Sequence, residues 1–187
     1  MPTPKLANLD FKFENSTVKV IANKNYPQIN LAGLTIGPLQ EGNEYDLYYW
    51  VAKELADSDI VHFRQEDVLD ATKLYKIQWR ERVQIAGQIS EIPEDFYPQL
   101  RRYLKTAKTQ ITKQPEPAKV QDYQKIKQTA NDIVNSRLKK IVSLSSGPTQ
   151  IDQIIKKLTP EEKQVFNQLA KIIHNWRSRI LNHETKE

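Results

Sequence analysis

The stretch "IGPLQEGNEYDLYYWVAKEL", residues 36–55, joins a turn, several acidic residues and a helical pattern in one short segment. Gly37 and Pro38 indicate the turn, because glycine accepts positive φ and proline fixes φ. Residues 48–57 then have the amphipathic pattern of a short helix. A turn followed so closely by a helix predicts a small, turn-rich unit on which that helix packs.

The segments around this stretch have the pattern of β-strands. "STVKVIAN", residues 16–23, and "PQINLAGLTIGPL", residues 27–39, alternate apolar or β-branched residues with polar ones. "DIVHF", residues 59–63, follows the short helix and fits a last strand. These segments predict a small β-rich domain over residues 1–64.

Beyond residue 64 the apolar period changes from two to 3.6, which indicates helices. We predict helices over residues 67–84, after Pro93, over residues 118–144, and from Thr159 onward, where Pro160 and Glu162 complete a capping-box pattern. The connector "KQPEPAK" cannot continue a helix because of its prolines. The predicted fold class is α+β, with the small β-rich domain followed by a larger all-α helical bundle domain over residues 65–187.

Each predicted helix carries an apolar stripe that can pack within the bundle or bind the helices of a partner. The first stripe consists of Val68, Thr72, Tyr75, Trp79 and Val83, with Leu74 and Ile77 beside it. The last stripe consists of Val165, Phe166, Leu169, Ile172, Ile173, Trp176 and Ile180.

The charge of the chain is distributed unevenly. Residues 1–95 contain 10 Lys and Arg against 15 Asp and Glu, a net charge of −5, whereas residues 96–187 contain 18 against 8, a net charge of +10. A basic half can contact nucleic acid or an acidic protein, or it can simply be solvated. A basic helical DNA-binding module is therefore an alternative interpretation.

The sequence offers few candidates for catalysis or for metal and cofactor binding. It has no cysteine and no glycine-rich phosphate-binding motif. His62, His174 and His183 are isolated from one another, and the acidic residues Asp57 and Asp59 are typical of a helix end. We therefore expect no enzyme activity, cofactor or metal. The chain also has neither a signal-peptide pattern nor a membrane-length apolar segment, so we expect a cytoplasmic protein.

The order of short motifs resembles the GINS family of replication factors. The motifs are "VKVI" at residues 18–21, "PQINL" at 27–31, "IGPL" at 36–39 with Gly42, "WVAKEL" at 50–55, "LYKIQWRERV" at 74–83 and "EDFYPQL" at 94–100. The order of the domains, β-rich first and helical second, is similar to that of the archaeal subunit that corresponds to the Psf two and Psf three components.

The resemblance implies a scaffold in DNA replication. It implies assembly with a sister GINS subunit into a heterotetramer of two copies each, and contacts with the MCM helicase and a RecJ-like protein in a nucleoid-associated replisome. Primase remains open as a further partner, DNA binding is expected to be weak at most, and no membrane partner is expected.

The resemblance also implies two contact regions. The stripes headed by Trp79, Phe96, Tyr97 and Trp176 would form the core between subunits, flanked by Glu81, Arg82, Arg177 and Arg179. Glu41, Glu44 and Asp46 would line an exposed acidic loop that contacts a partner.

Overall fold

The structure, a computed structural model, describes residues 6–31, 33–83, 88–113, 116–147 and 152–181. The chain divides into two compact units, with the boundary between Val68 and Leu69. The first unit contains strands and the second is a helical bundle, which confirms the predicted fold class.

In the first unit, the described residues form seven elements: α1 (Leu6–Glu14), β1 (Thr17–Ala22), β2 (Ile29–Leu31), β3 (Leu34–Ile36), β4 (Glu44–Tyr48), α2 (Tyr49–Asp57) and β5 (Val61–Phe63). Strand β1 is central in an antiparallel sheet of order β4-β1-β5, and Val20 pairs with Tyr45 on one side and with Phe63 on the other. Strands β2 and β3 form a separate two-stranded hairpin.

The core of this unit lies between the sheet and helix α2. Val20 and Ala22 alternate with exposed or half-buried residues along β1, so both point to the same face of the sheet. Val51 and Leu55 of α2 are buried in the same cluster. The predicted short helix and the predicted last strand are confirmed as α2 and β5, because both carry the apolar residues that this core requires.

Gly37 is at a turn where a side chain would clash. Its φ is +80°, and a Cβ atom at this position would lie 2.9 Å from the backbone nitrogen of Leu39. Glycine therefore satisfies two constraints here, the positive φ and the close approach of the backbone.

Two elements of this unit differ from the sequence prediction. Helix α1 was not predicted; it is held by Phe13, which is buried with its ring centroid 4.7 Å from that of Tyr49.

Strand β4 was predicted as an acidic loop. Its charged residues point outward while Leu47 points inward, and Lys19 of β1 lies opposite Asp46, so the acidic side chains are those of a strand with one solvated face.

Within its described ranges, the second unit forms five helices: α3 (Ala71–Val83), α4 (Phe96–Lys113), α5 (Pro117–Ser145), α6 (Asp152–Ile155) and α7 (Pro160–Leu181). The four long helices agree with the four that the 3.6-residue period predicts. One apolar cluster joins α3, α4 and α5 through Leu74, Ile77, Phe96, Leu100 and Ile133. A second cluster joins α5 and α7 around Ile141, with Phe166 and Leu169 packed against it.

The apolar stripe predicted on α3 is not the buried face of this helix. The buried side chains of this helix are Leu74, Ile77 and Glu81, whereas Tyr75, Trp79 and Val83 are exposed. On α7, Phe166, Leu169 and Ile173 of the predicted stripe are half-buried, whereas Val165, Ile172, Trp176 and Ile180 are exposed. Both helices therefore present large apolar side chains on the surface of the chain.

Candidate interaction site

The predicted interface residues separate into a buried group and an exposed group. Glu81 and Phe96 are buried inside the helical unit, and Tyr97 is half-buried with its hydroxyl bonded to Glu162. Their side chains make contacts within this chain, and their part in a subunit interface stays a prediction. Trp79, Arg82, Trp176, Arg177 and Arg179 are exposed.

The buried group belongs to an ion network centred on Arg137 of α5. The Arg137 side chain is 0% exposed. Its Nη1 donates to Oε1 of Glu81 at 2.5 Å and to the backbone oxygen of Ser90 at 2.9 Å. Lys140, one turn further along α5, donates from Nζ to Oε2 of Glu81 at 2.6 Å. Both carboxylate oxygens of Glu81 are thus paired with cations of α5.

The other half of the network is at the start of helix α7. Nη2 of Arg137 donates to Oε2 of Glu162 at 2.7 Å, and Nε of Arg137 donates to Oε1 of the same residue. Glu162 also accepts from the backbone nitrogen of Thr159 at 3.0 Å, and the Thr159 hydroxyl accepts from the Glu162 nitrogen at 3.3 Å. The predicted capping box is therefore confirmed, and its glutamate also pairs with the buried arginine.

The network shifts the pKa of its members. Burial alone would raise the pKa of Glu81, but hydrogen bonds from Lys140 and Ser90 and the charge of Arg137 outweigh it, so the pKa lies below its ordinary value. Burial and the adjacent Glu162 carboxylate raise the pKa of the Tyr97 hydroxyl. The network thus joins two acidic side chains, Glu81 and Glu162, to two basic ones, Arg137 and Lys140.

Sequence reasoning missed the pairing of Arg137, although the residue lies within an apolar stripe of α5. An arginine among buried apolar positions indicates a buried carboxylate partner, because an isolated buried charge is strongly unfavourable. The partners, Glu81 and Glu162, are distant along the chain, so the sequence pattern could not identify them.

The exposed group lies on two helices. On α7, the apolar side chains of Ile172, Trp176 and Ile180 are exposed at intervals of four residues; we call these three residues the α7 stripe. Beside the stripe, Arg177 donates from Nη2 to the backbone oxygen of Ser146 at 2.8 Å, just beyond the end of helix α5. This contact ties the α7 stripe to the bundle near the end of α5.

On α3, the exposed residues form a second surface. Thr72, Tyr75, Lys76, Trp79 and Arg80 line an open groove of about 460 Å³; we call them the α3 outer face. Arg82 lies beside this surface and pairs with Asp132 of α5 at 3.0 Å. The chain thus exposes one tryptophan on α3 and another on α7.

In the first unit, the three predicted acidic contacts are not in one loop. Glu41 is exposed in the turn before β4, whereas Glu44 and Asp46 are in β4 itself. The Glu44 carboxylate accepts from Lys19 at 2.5 Å and lies 3.4 Å from Nη1 of Arg64. The hydrogen bond from Lys19 lowers the pKa of Glu44. Glu44 therefore pairs within its own unit, and the contact of Glu41, Glu44 and Asp46 with a partner stays a prediction.

The polar residues near the end of α2 do not form a catalytic arrangement. Asn23 lies between His62 and Asp59 and contacts both side chains, while Asp57 pairs with Lys53 at 3.5 Å. His62, Asp57 and Asp59 are exposed to solvent, as is His174 on α7. His183 lies outside the described residues. In the ranges that the structure describes, no cluster of three or more His, Cys, Asp or Glu could hold a metal ion.

The comparison with family models decides the family. A model of the GINS complex protein helical bundle domain matches residues 68–181, which is more than half of the chain. The chain belongs to the GINS family. The matched range includes helices α3 to α7, so both exposed tryptophans and the whole Arg137 network lie in the GINS helical domain. No curated protein matches the chain.

Membership in the family makes the chain a GINS component of DNA replication. GINS domains are non-catalytic components of a replication complex. Because GINS proteins act as a complex, other GINS subunits are the expected partners. None of the helices within the described ranges has the length and apolar character needed to cross a membrane.

Proposed function

We propose that this GINS subunit is a non-enzymatic scaffold that assembles with a sister GINS subunit through its helical domain. In this proposal the assembly is a heterotetramer with two copies of each subunit, and the chain is the archaeal subunit similar to Psf two and Psf three. The order of the two units, strand-containing first and helical second, supports this subclass. The complex would support the MCM helicase together with a RecJ-like protein, and primase is a further candidate.

The α7 stripe is the observation that carries the assembly proposal. The Trp176 side chain is 62% exposed in the single chain, and Ile172, Ile180 and Leu181 are similarly exposed. Each large apolar side chain of this kind gains roughly 1.5–3 kcal/mol when it leaves water. Ile172, Trp176 and Ile180 form a continuous stripe on a rigid helix, which fits the apolar centre of a subunit interface.

Polar residues beside the stripe fit the rim of such an interface. Arg179 is exposed near the end of α7, and Arg177 is held in place by its contact with Ser146. Arginine and tryptophan are the residue types that contribute most to binding at protein interfaces. We therefore place Trp176 at the centre of the interface and the two arginines at its edge.

The experiment that tests this proposal is a mass measurement by light scattering. The chain is measured alone and after co-expression with the GINS subunit whose domains are in the opposite order. A stable two-plus-two assembly with the partner supports the proposal. A monomer that ignores the partner contradicts it and favours the alternative, a basic helical DNA-binding module.

A further inference from the structure

The α3 outer face contains a repeated pair of residue types. Tyr75 is followed by Lys76, and one helical turn later Trp79 is followed by Arg80. Residues four apart lie above one another on a helix, so the rings form one column and the cations form a second column beside it. The side chains of Tyr75 and Trp79 are 49% and 67% exposed, so both columns face solvent.

Within the described ranges, neither Tyr75 nor Trp79 belongs to an apolar core cluster of the helical unit. Trp79 is two residues away from both Ile77 and Glu81, which corresponds to a rotation of about 200° around the helix. The buried face of α3 therefore points away from the aromatic column. An exposed tryptophan that does not pack within its own unit is unusual, because most of its surface is apolar.

The α3 outer face is also cationic without a compensating acid. Glu81 is the acidic residue of helix α3, and both of its carboxylate oxygens are used by Arg137 and Lys140 in the interior. Among the described residues, neither Lys76 nor Arg80 forms an ion pair. The two cations are therefore free to contact an anionic ligand.

We propose that the α3 outer face binds single-stranded DNA, with unpaired bases stacked on Trp79 and Tyr75 and the phosphates beside Lys76 and Arg80. Every base has a π face that can stack on an aromatic ring, and each phosphate carries one negative charge. The rings are separated by a rise of about 6 Å along the helix, a span comparable to one nucleotide step of an extended strand. Duplex DNA lacks accessible base faces, so it is the poorer ligand.

This assignment does not depend on the proposed subunit assembly, because that assembly uses the α7 stripe. The contact involves two rings and two cations, so the affinity is weak and depends on salt. It fits a protein that contacts a separated DNA strand transiently while other components hold the DNA.

The test uses the full chain and a fluorescently labelled oligo-dT, with binding followed by anisotropy over a series of salt concentrations. Trp79→Ala is expected to weaken binding about 5- to 100-fold, the range for loss of one stacked base. Trp79→Tyr keeps a ring and is expected to retain most of the affinity, whereas Trp79→Leu is not. The matched control, Trp176→Ala, removes the other exposed tryptophan and is expected to bind oligo-dT as the unmodified chain does.

The salt dependence tests the cation column separately. Changing both Lys76 and Arg80 to glutamine removes two positive charges. The slope of log K against log salt is expected to fall by about 1.4, since each lost phosphate contact lowers it by about 0.7. Lys105 and Lys108 are exposed on α4, and changing both to glutamine serves as the charge-matched control with an unchanged slope.

Several results would overturn the proposal. These are no binding of oligo-dT at low salt, equal binding by Trp79→Ala, equal loss of slope in the α4 control, or equal affinity for duplex DNA. Loss of subunit assembly in Trp79→Ala, measured by light scattering, would also overturn it, because the α3 outer face would then be a protein interface. If instead the proposed subunit assembly is wrong, light scattering of the co-expressed subunits will show no two-plus-two assembly, while the binding of oligo-dT to the α3 outer face will be unchanged.

Discussion

Arg137 and Glu162 form a two-point ion pair in which the buried guanidinium binds the carboxylate that caps helix α7. Nη2 and Nε of the arginine donate to the two carboxylate oxygens, and the same carboxylate accepts from the Thr159 nitrogen. The start of α7 is therefore fixed to the middle of α5 by charge-assisted hydrogen bonds. Because Arg137 also binds Glu81, one side chain links α3, α5 and α7.

Replacing Arg137 by methionine is expected to destabilise the helical unit by about 3–5 kcal/mol. The change leaves Glu81 and Glu162 buried, with only Lys140 to compensate two negative charges. The free energy of unfolding, measured by urea denaturation with far-UV circular dichroism, reports the loss.

The control for this prediction is Arg82→Met, which removes an arginine from the same unit. Arg82 pairs with Asp132, but its side chain is 66% exposed, so a loss of less than about 1 kcal/mol is expected. Equal losses for the two variants would show that the Arg137 network contributes no more to the free energy of unfolding than the exposed Arg82–Asp132 pair does. Adding Glu81→Gln and Glu162→Gln to Arg137→Met is expected to restore part of the stability, because the uncompensated charges are then removed.

The Glu81 carboxylate makes the stability of the helical unit depend on acid. Its pKa is lower in the folded chain than its ordinary value of 4.5, so the unfolded chain binds the proton more readily. The stabilisation that the Glu81 carboxylate provides is complete at pH values above its ordinary pKa. It is lost as the pH falls through the lower pKa that this carboxylate has in the folded chain. Urea midpoints measured from neutral pH down to about pH 3 should therefore fall less steeply for Glu81→Gln than for the unmodified chain. An equally steep fall in the two proteins would contradict the prediction.

The capping box of α7 gives a smaller and more local prediction. Thr159→Val keeps the volume of the side chain and removes the hydroxyl that accepts from the Glu162 nitrogen. A loss of about 1 kcal/mol in the free energy of unfolding is expected. Thr159→Ser keeps the hydroxyl, so it should lose less than the valine variant. A larger loss for serine would assign the effect to the buried methyl group instead of the cap.

The helices could be predicted from the sequence because their signals are local. The period of 3.6 and the prolines at the starts of α5 and α7 depend only on neighbouring residues. The Thr159 capping box is equally local. The orientation of α3 is different, since each side of this helix carries large apolar residues. Glu81 gives the buried side a polar character, and its partner Arg137 is remote in sequence, so the choice of face depends on tertiary contacts.

The candidate interface could be predicted only in part for the same reason. Trp79 and Trp176 are exposed, as a contact role requires, but Phe96 and Tyr97 are used inside the bundle. Aromatic residues at helical spacing look alike in the sequence whether they face a core or a partner. Strand β4 shows a related limit, because charged residues on the solvated face of a strand resemble those of a loop.

Replacing Trp176 by alanine separates assembly from folding. The residue is 62% exposed in the single chain, so the free energy of unfolding of the isolated chain should change by less than about 0.5 kcal/mol. If the α7 stripe forms the centre of the subunit interface, the loss of binding to the sister subunit is about 2 kcal/mol or more, which corresponds to roughly a 30-fold weaker affinity.

The measurement is light scattering of the co-expressed subunits over a dilution series, in which the weaker assembly dissociates at higher concentration. Trp79→Ala is the matched control, since it removes a tryptophan of similar exposure from α3 and is expected to leave the dissociation curve unchanged. Adding Ile172→Ser to Trp176→Ala should weaken assembly further, because the two side chains are one turn apart on the same stripe. Unchanged dissociation in this double variant would place the subunit interface elsewhere on the bundle.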